Sequence, residues 1–154
     1  CPCHNTPVGE IQVGLEMVRC GAVIGGEGNG GVMLPDVHIG RDAMVASTLV
    51  LMLMAREQKS LREIVDGLPQ YAIYKTKFST AQVDGDRALA VVKKAVAAAG
   101  IPVDERDGLY ISASDYWVHL RKSNTEPIVR IIAEARTLDR AKQEAERIIR
   151  LVMP

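Results

Sequence analysis

The chain has 154 residues, 47% of them apolar and 25% charged, which is enough for one ordinary domain or two small ones with a buried core. Lys plus Arg equals Asp plus Glu at 19 each, and a net charge of zero argues against a broad nucleic-acid or anionic-membrane surface. No stretch reaches the roughly 20 apolar residues needed to cross a bilayer. No basic region followed by an apolar run opens the chain, so a cytoplasmic setting is expected.

Three cysteines do not make a complete disulfide framework. Cys1, Cys3 and His4 lie close together, but structural zinc usually takes a C-x2-4-C pair plus a second distant pair, and here one residue separates the two cysteines. An irregular start to the chain is expected instead of a metal site.

Thr6-Pro7-Val8-Gly9 reads as a turn, and Glu10 to Arg19 as a helix of mixed periodicity. Gly21-Ala22-Val23-Ile24 is a short apolar run bounded by glycines, consistent with a buried strand that empties into Gly25-Gly26-Glu27-Gly28-Asn29-Gly30-Gly31. Asp42 can cap a helix running to about Glu57, whose greasy run from Ala43 to Ala55 predicts burial. Ser60-Leu61-Arg62-Glu63 is a capping box, and the short helix it opens stops at Gly67, ahead of Pro69. One strand with its flanking helices makes only part of an α/β layer.

The character changes near Tyr71, which divides the chain into 1–70 and 71–154. Tyr71 to Phe78 is strand-like, and Asp84 caps an alanine-rich helix that ends at Gly100. Val103 to Arg106 and Leu109 to Ser112 flank an Asp107-Gly108 turn, a hairpin signal. Tyr116 to Leu120 and Ile128 to Ala133 are further strands, separated by a polar loop. Leu138, Ala141, Ala145, Ile148 and Val152 then form one stripe of a last helix. The order β-α-β-β-β-α predicts a small α+β domain, an antiparallel four-stranded sheet with two helices.

The motif richest in anion-binding groups is Arg121-Lys122-Ser123-Asn124-Thr125-Glu126-Pro127, between two predicted strands. Arginine offers a planar fork for bidentate phosphate contact, Ser123 and Thr125 add hydroxyls, and Asn124 adds an amide. Arg130 can point into the same space from the following strand. A plain polar hairpin loop has the same composition, and spacing alone leaves both readings open. In the glycine loop, Glu27 and Asn29 are a carboxylate and a carboxamide suited to sugar hydroxyls, on backbone that a ligand can approach closely, though a flexible turn has the same composition. The string has neither the Lys-Ser/Thr of a P-loop nor Rossmann glycine spacing.

At these loops the chain resembles the α-D-phosphohexomutases. Arg121 to Pro127 is similar to the family's phosphate-binding loop R-x-S-N-T-x-P, and Glu27-Gly28-Asn29-Gly30-Gly31 to its G-E-x-S-G-H sugar loop. Thr6 to Glu10 is similar to its T-x-V-G segment. The resemblance implies the later part of a third, α/β domain followed by a fourth, α+β domain. It implies that Glu27 and Asn29 bind sugar hydroxyls and that Arg121, Ser123, Asn124 and Thr125 hold the phosphate not being transferred. Gly31 stands where many members have histidine, and Glu10 and Ile11 replace a His or Asp and a basic residue.

For the full-length enzyme the resemblance implies Mg2+, a phosphoserine, and a hexose 1,6-bisphosphate as intermediate or activator, with a phosphorylated hexose and the protein's own N-terminal domains as partners. The family's T-A-S-H-N-P phosphoserine loop does not occur in these residues. Its D-G-D-x-D-R magnesium loop has an echo at Asp84-Gly85-Asp86-Arg87, which reads better as a helix cap. The chain alone is therefore expected to lack mutase activity. His38 and His119 read as loop and surface histidines and Trp117 as core. Two other readings remain: a stand-alone anion-binding module, and a nucleic-acid-binding α+β domain, the latter opposed by neutral charge and few aromatics.

Overall fold

The computed structural model describes residues 2–153. The chain divides into two compact units, Cys1–Pro69 and Gln70–Pro154.

The first unit runs α1 (Glu10–Cys20), β1 (Gly25–Gly26), β2 (Val32–Met33), α2 (Ala43–Glu57) and α3 (Leu61–Asp66). Its buried centre is Val13 and Met17 of α1 against Met33 of β2. The strand expected at Gly21–Ile24 does not form there: Val23 and Ile24 are exposed, and pairing starts at Gly25, opposite Met33. Helix termination uses those residues instead. Gly21 is left-handed, and both its N–H and that of Ala22 return to Met17 O. Gly25 is then forced close to α1, where a Cβ would sit 2.2 Å from Met17 Sδ.

Asp42 caps α2, its Oδ1 accepting from the Met44 and Val45 amides at 2.8 and 2.9 Å. The burial expected for α2 is not found: none of its residues is buried, and Met44, Leu51 and Met52 are well exposed. A helix apolar all round needs partners all round. Within this unit α2 meets β2 and α3, too little surface to surround it. Ser60 and Glu63 close the capping box on α3.

The second unit runs β3 (Ala72–Ser79), α4 (Gly85–Ala98), β4 (Val103–Asp104), β5 (Leu109–Ser112), β6 (Tyr116–Lys122), β7 (Ile128–Ala135) and α5 (Leu138–Val152). The sheet has five strands, not four, in the order β3-β7-β6-β5-β4, every neighbouring pair antiparallel. The additional strand is the first arm of the Asp107-Gly108 hairpin, which pairs over Val103 and Asp104 as a short edge.

Alternation along the strands separates two faces. Val118, Leu120, Val129, Ile131 and Ala133 are buried against Val92 and Val96 of α4 and Ala141, Ala145 and Ile148 of α5. Trp117, His119, Arg121, Arg130 and Glu134 alternate with them and so lie on the face without helices. Trp117, expected in the core, is therefore half-buried on the open face, where its Nε1 donates to Glu134 Oε1 at 2.9 Å. Each fully buried branched side chain contributes on the order of 1.5–3 kcal/mol to such a core. The lone charged residue of the described core, Glu144, is held by Arg140 and Arg147.

The β4–β5 turn depends on Gly108. Its φ is +77°, and a Cβ there would lie 2.1 Å from the Leu120 carbonyl oxygen on β6. Gly100 is also left-handed, φ +69°, but faces open space. Gly108→Ala should therefore lower unfolding stability by more than about 2 kcal/mol and Gly100→Ala by about 1 kcal/mol, both read from urea denaturation. Equal effects would mean that the close approach to β6 is absent.

Candidate functional site

In the first unit, Glu27 begins the turn of the β1–β2 hairpin. Its backbone N–H donates to Gly31 O at 3.1 Å, and its carbonyl accepts from Gly30 N–H at 3.0 Å. The loop is tied from within. Asn29 Nδ2 donates to Glu27 Oε2 at 3.3 Å, while Asn29 Oδ1 accepts from the Gly31 amide at 3.0 Å. The other carboxylate oxygen, Oε1, accepts from Gly9 N–H at 3.2 Å, so the turn ahead of α1 orients the side chain. Glu27 and Gly28 line a cleft of about 660 Å3 together with Thr6, Val8 and Ala22. Two sequence-predicted residues, Glu27 and Asn29, are thus brought into one hydrogen-bonded hairpin.

The two departures noted at Glu10 and Gly31 are physically linked by Arg41, which the sequence reading passed over. Arg41 Nε donates to Glu10 Oε2 at 2.7 Å and its backbone N–H to Oε1 at 3.1 Å. The Arg41 stem covers Gly31, so that a Cβ on Gly31 would lie 2.3 Å from Arg41 Cδ. The backbone hydrogen bond from Arg41, reinforced by its guanidinium, holds the Glu10 carboxyl below the usual carboxylate range. The cue lay in the sequence as an unexplained acidic residue after Gly9 and a basic one ahead of a helix cap.

In the second unit, β6 carries Arg121 and ends at Lys122, and Ser123 to Pro127 connect it to β7. Ser123 N–H donates to Ile128 O at 3.0 Å, closing the loop, and Thr80 N–H donates to Pro127 O at 2.8 Å, pinning it to the end of β3. Ser123 Oγ lies inside the turn, accepting from the Thr125 and Glu126 amides at 3.4 and 3.3 Å. Asn124 and Thr125 are exposed at the tip. Arg121 and Arg130 are directly opposed across β6 and β7, hence on the same face. Each has a carboxylate: Arg121 Nε lies 3.0 Å from Asp107 Oδ1, and Arg130 is 2.9 Å from Glu126 Oε2.

Asp107 is the second residue that sequence reasoning used only as a turn former. Its carboxylate meets Arg121, and its carbonyl oxygen lies 2.6 Å from His119 Nε2. The hairpin therefore bonds both His119 and Arg121, and His119 is a half-buried anchor, not a plain surface histidine. His38 lies 3.9 Å from Asp42, at the start of α2.

The magnesium echo does not converge on a cation. Asp84 accepts from the Arg87 amide at 2.9 Å as the α4 cap, while Asp86 binds Lys122 Nζ at 2.6 and 2.7 Å. These residues do not fit Mg2+, which requires oxygen ligands in near-octahedral array. Cys1 lies outside the described residues. His4, Glu16 and Cys20 do bring ligand atoms within 4.8 Å of one another. Arg19, however, engages both Glu16 oxygens at 2.7 and 2.6 Å and, as the main cause, holds that carboxyl down to about 2.

Residues 1–71 match the family described as phosphoglucomutase/phosphomannomutase, alpha/beta/alpha domain III, and residues 77–151 match the phosphoglucomutase/phosphomannomutase C-terminal domain. The chain belongs to the phosphoglucomutase/phosphomannomutase family. A phosphoglucomutase/phosphomannomutase of Thermococcus kodakarensis is 38% identical over 150 residues, covering 96% of this chain and 32% of the relative. A phosphoglucosamine mutase of Methanocaldococcus jannaschii is 31% identical, covering 96% of this chain and 33% of the relative. The fold matches the crystal structure of a phosphoglucomutase/phosphomannomutase family protein from Burkholderia thailandensis with a TM-score of 0.74 at 22% identity, over 94% of this chain and 31% of that one. The chain thus spans about a third of the length of the relatives it matches. The first unit corresponds to domain III, and the five strands and two helices of the second to the C-terminal domain, of this phosphohexomutase family.

Because the folded-state pKa of Glu10 is depressed, its tie to Arg41 is present above the ordinary carboxylate range and is lost as pH falls through the lowered value. In 15N NMR of the chain, Glu10→Gln should shift the Arg41 Nε and Gly31 amide resonances at neutral pH, and acidifying the wild type should shift the same resonances. Unchanged Gly31 in both cases would mean that Arg41 does not bear on the sugar loop.

Proposed function

We propose that this chain is the substrate-gripping portion of a phosphohexomutase that interconverts hexose 1-phosphate and hexose 6-phosphate through a phosphoserine and a bisphosphate intermediate. The observation that carries this reading is the Arg121–Pro127 loop. Two opposed arginines, the Ser123 and Thr125 hydroxyls and exposed loop groups lie on one end of a rigid antiparallel sheet, suited to a doubly charged phosphomonoester.

In this reading Arg121, Ser123, Asn124, Thr125 and Arg130 hold the phosphate that is not being transferred, and Glu27 and Asn29 accept and donate hydrogen bonds to ring hydroxyls. Fixing the far phosphate and two hydroxyls suits either orientation of the sugar, and positioning of this kind accounts for much of the acceleration in phosphoryl transfer. Mg2+ would offset charge at the transferring group of the full-length enzyme; Asp84 and Asp86 are committed elsewhere. Relatives named for glucose, mannose and glucosamine phosphates support a hexose phosphate as the substrate class. The remaining domains of the same protein are the partner this chain requires, and the reading places the enzyme in the cytoplasm. No helix among the described residues is long and apolar enough to cross a membrane.

The test has two arms. Titrating the labelled chain with glucose 1-phosphate, with glucose as control, should shift resonances of 121–125 for the phosphate ester alone. In the full-length protein Arg121→Met should lower kcat/KM by roughly 10- to 100-fold, the loss expected for a charge-assisted contact, while the isolated chain turns over no substrate. Equal shifts with glucose, or unchanged kcat/KM in the variant, would remove the phosphate assignment. Turnover by the isolated chain would remove its role as an incomplete portion.

A further inference from the structure

The register of the second unit places a third cation in line with the two arginines of the loop. Arg121 on β6 is opposite Arg130 on β7, and Arg130 is opposite Lys77 on β3. Directly opposed residues of antiparallel neighbours project to the same face, so all three stand on the open side of the sheet. The neighbours that alternate with them confirm the parity: Leu120, Val129 and Phe78 are buried on the helix side. Strands lie about 4.8 Å apart, so the outer two backbones of the row are about 10 Å apart, and long side chains from both can meet above Arg130.

The row is next to the phosphate loop. Ser79 pairs with Ile128 and Thr80 N–H donates to Pro127 O, so the end of β3 is stitched to the loop two and three residues beyond Lys77. Arg121 and Arg130 have Asp107 and Glu126 as counter-ions, whereas exposed Lys77 has no ion pair among the described residues. Like charges directly opposed across strands disfavour the sheet, and an anion seated above the row reverses the sign of that interaction.

We propose that Lys77 is a third cationic ligand for the phosphate held by the Arg121–Thr125 loop, taking a dianionic phosphomonoester from the β3 side. This rests on the reading of that loop as a phosphate site. The sequence hid the residue because it lies 44 positions before Arg121 in a plain alternating strand; only strand order brings β3 beside β7. Lys75 is the internal comparison. It points to the same face but is opposite Ile132, one row farther from the loop.

The experiment is a 15N NMR titration of the chain with inorganic phosphate and with glucose 1-phosphate, using wild type and the variants Lys77→Met, Lys77→Arg, Lys75→Met and Arg121→Met. Retained spectra verify folding, and the two lysines are exposed. Lys77→Met should weaken binding about three- to fivefold, the range for one solvent-accessible charge pair, with Lys77→Arg close to wild type and Lys75→Met having a clearly smaller effect. If Lys77→Met binds like wild type while Arg121→Met loses the loop response, the lysine assignment is overturned and the loop assignment stands. Equal losses from Lys75→Met and Lys77→Met also overturn it, as they indicate only a diffuse field. If Arg121→Met changes nothing, both assignments fail.

Discussion

Two arginines opposed across a pair of antiparallel strands are an electrostatic liability, and the second unit is arranged around that pair. Arg121 and Arg130 share a face because β6 and β7 pair in register up to the connecting loop. The liability is reduced from two directions, Asp107 reaching Arg121 from the β4–β5 turn and Glu126 reaching Arg130 from the loop itself. Gly108 permits the β4–β5 turn to come this near to β6, where no side chain fits. A site with its cations already oriented by carboxylates gives up part of its field in exchange for geometry. Under the proposed function, an incoming phosphate would meet guanidinium groups that need not be ordered on binding.

The first unit uses the same device with the charges reversed. Glu27 is the carboxylate of the β1–β2 turn, and neutral donors steady it: the Gly9 amide on one oxygen and the Asn29 amide on the other. Arg41, held by Glu10, packs over Gly31 and closes the far side of the hairpin. The absence of a histidine at Gly31 and the presence of an acid at Glu10 are thus two ends of one contact.

The expectations that failed share a cause. Gly21 to Ile24 has strand-like composition, but a left-handed glycine after α1 diverted those residues into ending the helix. The apolar run of α2 signals burial, and burial depends on how many elements surround a helix, which periodicity within the helix does not report. Trp117 is apolar enough for the core, yet parity along β6 assigned it to the open face, between buried Tyr116 and Val118. Each error treated a side chain's composition as if it decided its neighbours.

What the sequence determined by itself was local and chemical: the caps at Asp42, Ser60 and Asp84, the Asp107-Gly108 turn, and the two loops whose residue types point to a phosphate and to hydroxyls. Capping and turn formation act over three or four residues, so short strings suffice to specify them. Tertiary structure decided which charges share a space. Asp107 with Arg121, Glu10 with Arg41, and the row of Lys77, Arg130 and Arg121 all join residues from different elements. Strand order and register bring such pairs together, and those are set by packing of the whole sheet against its helices, not by any string within it.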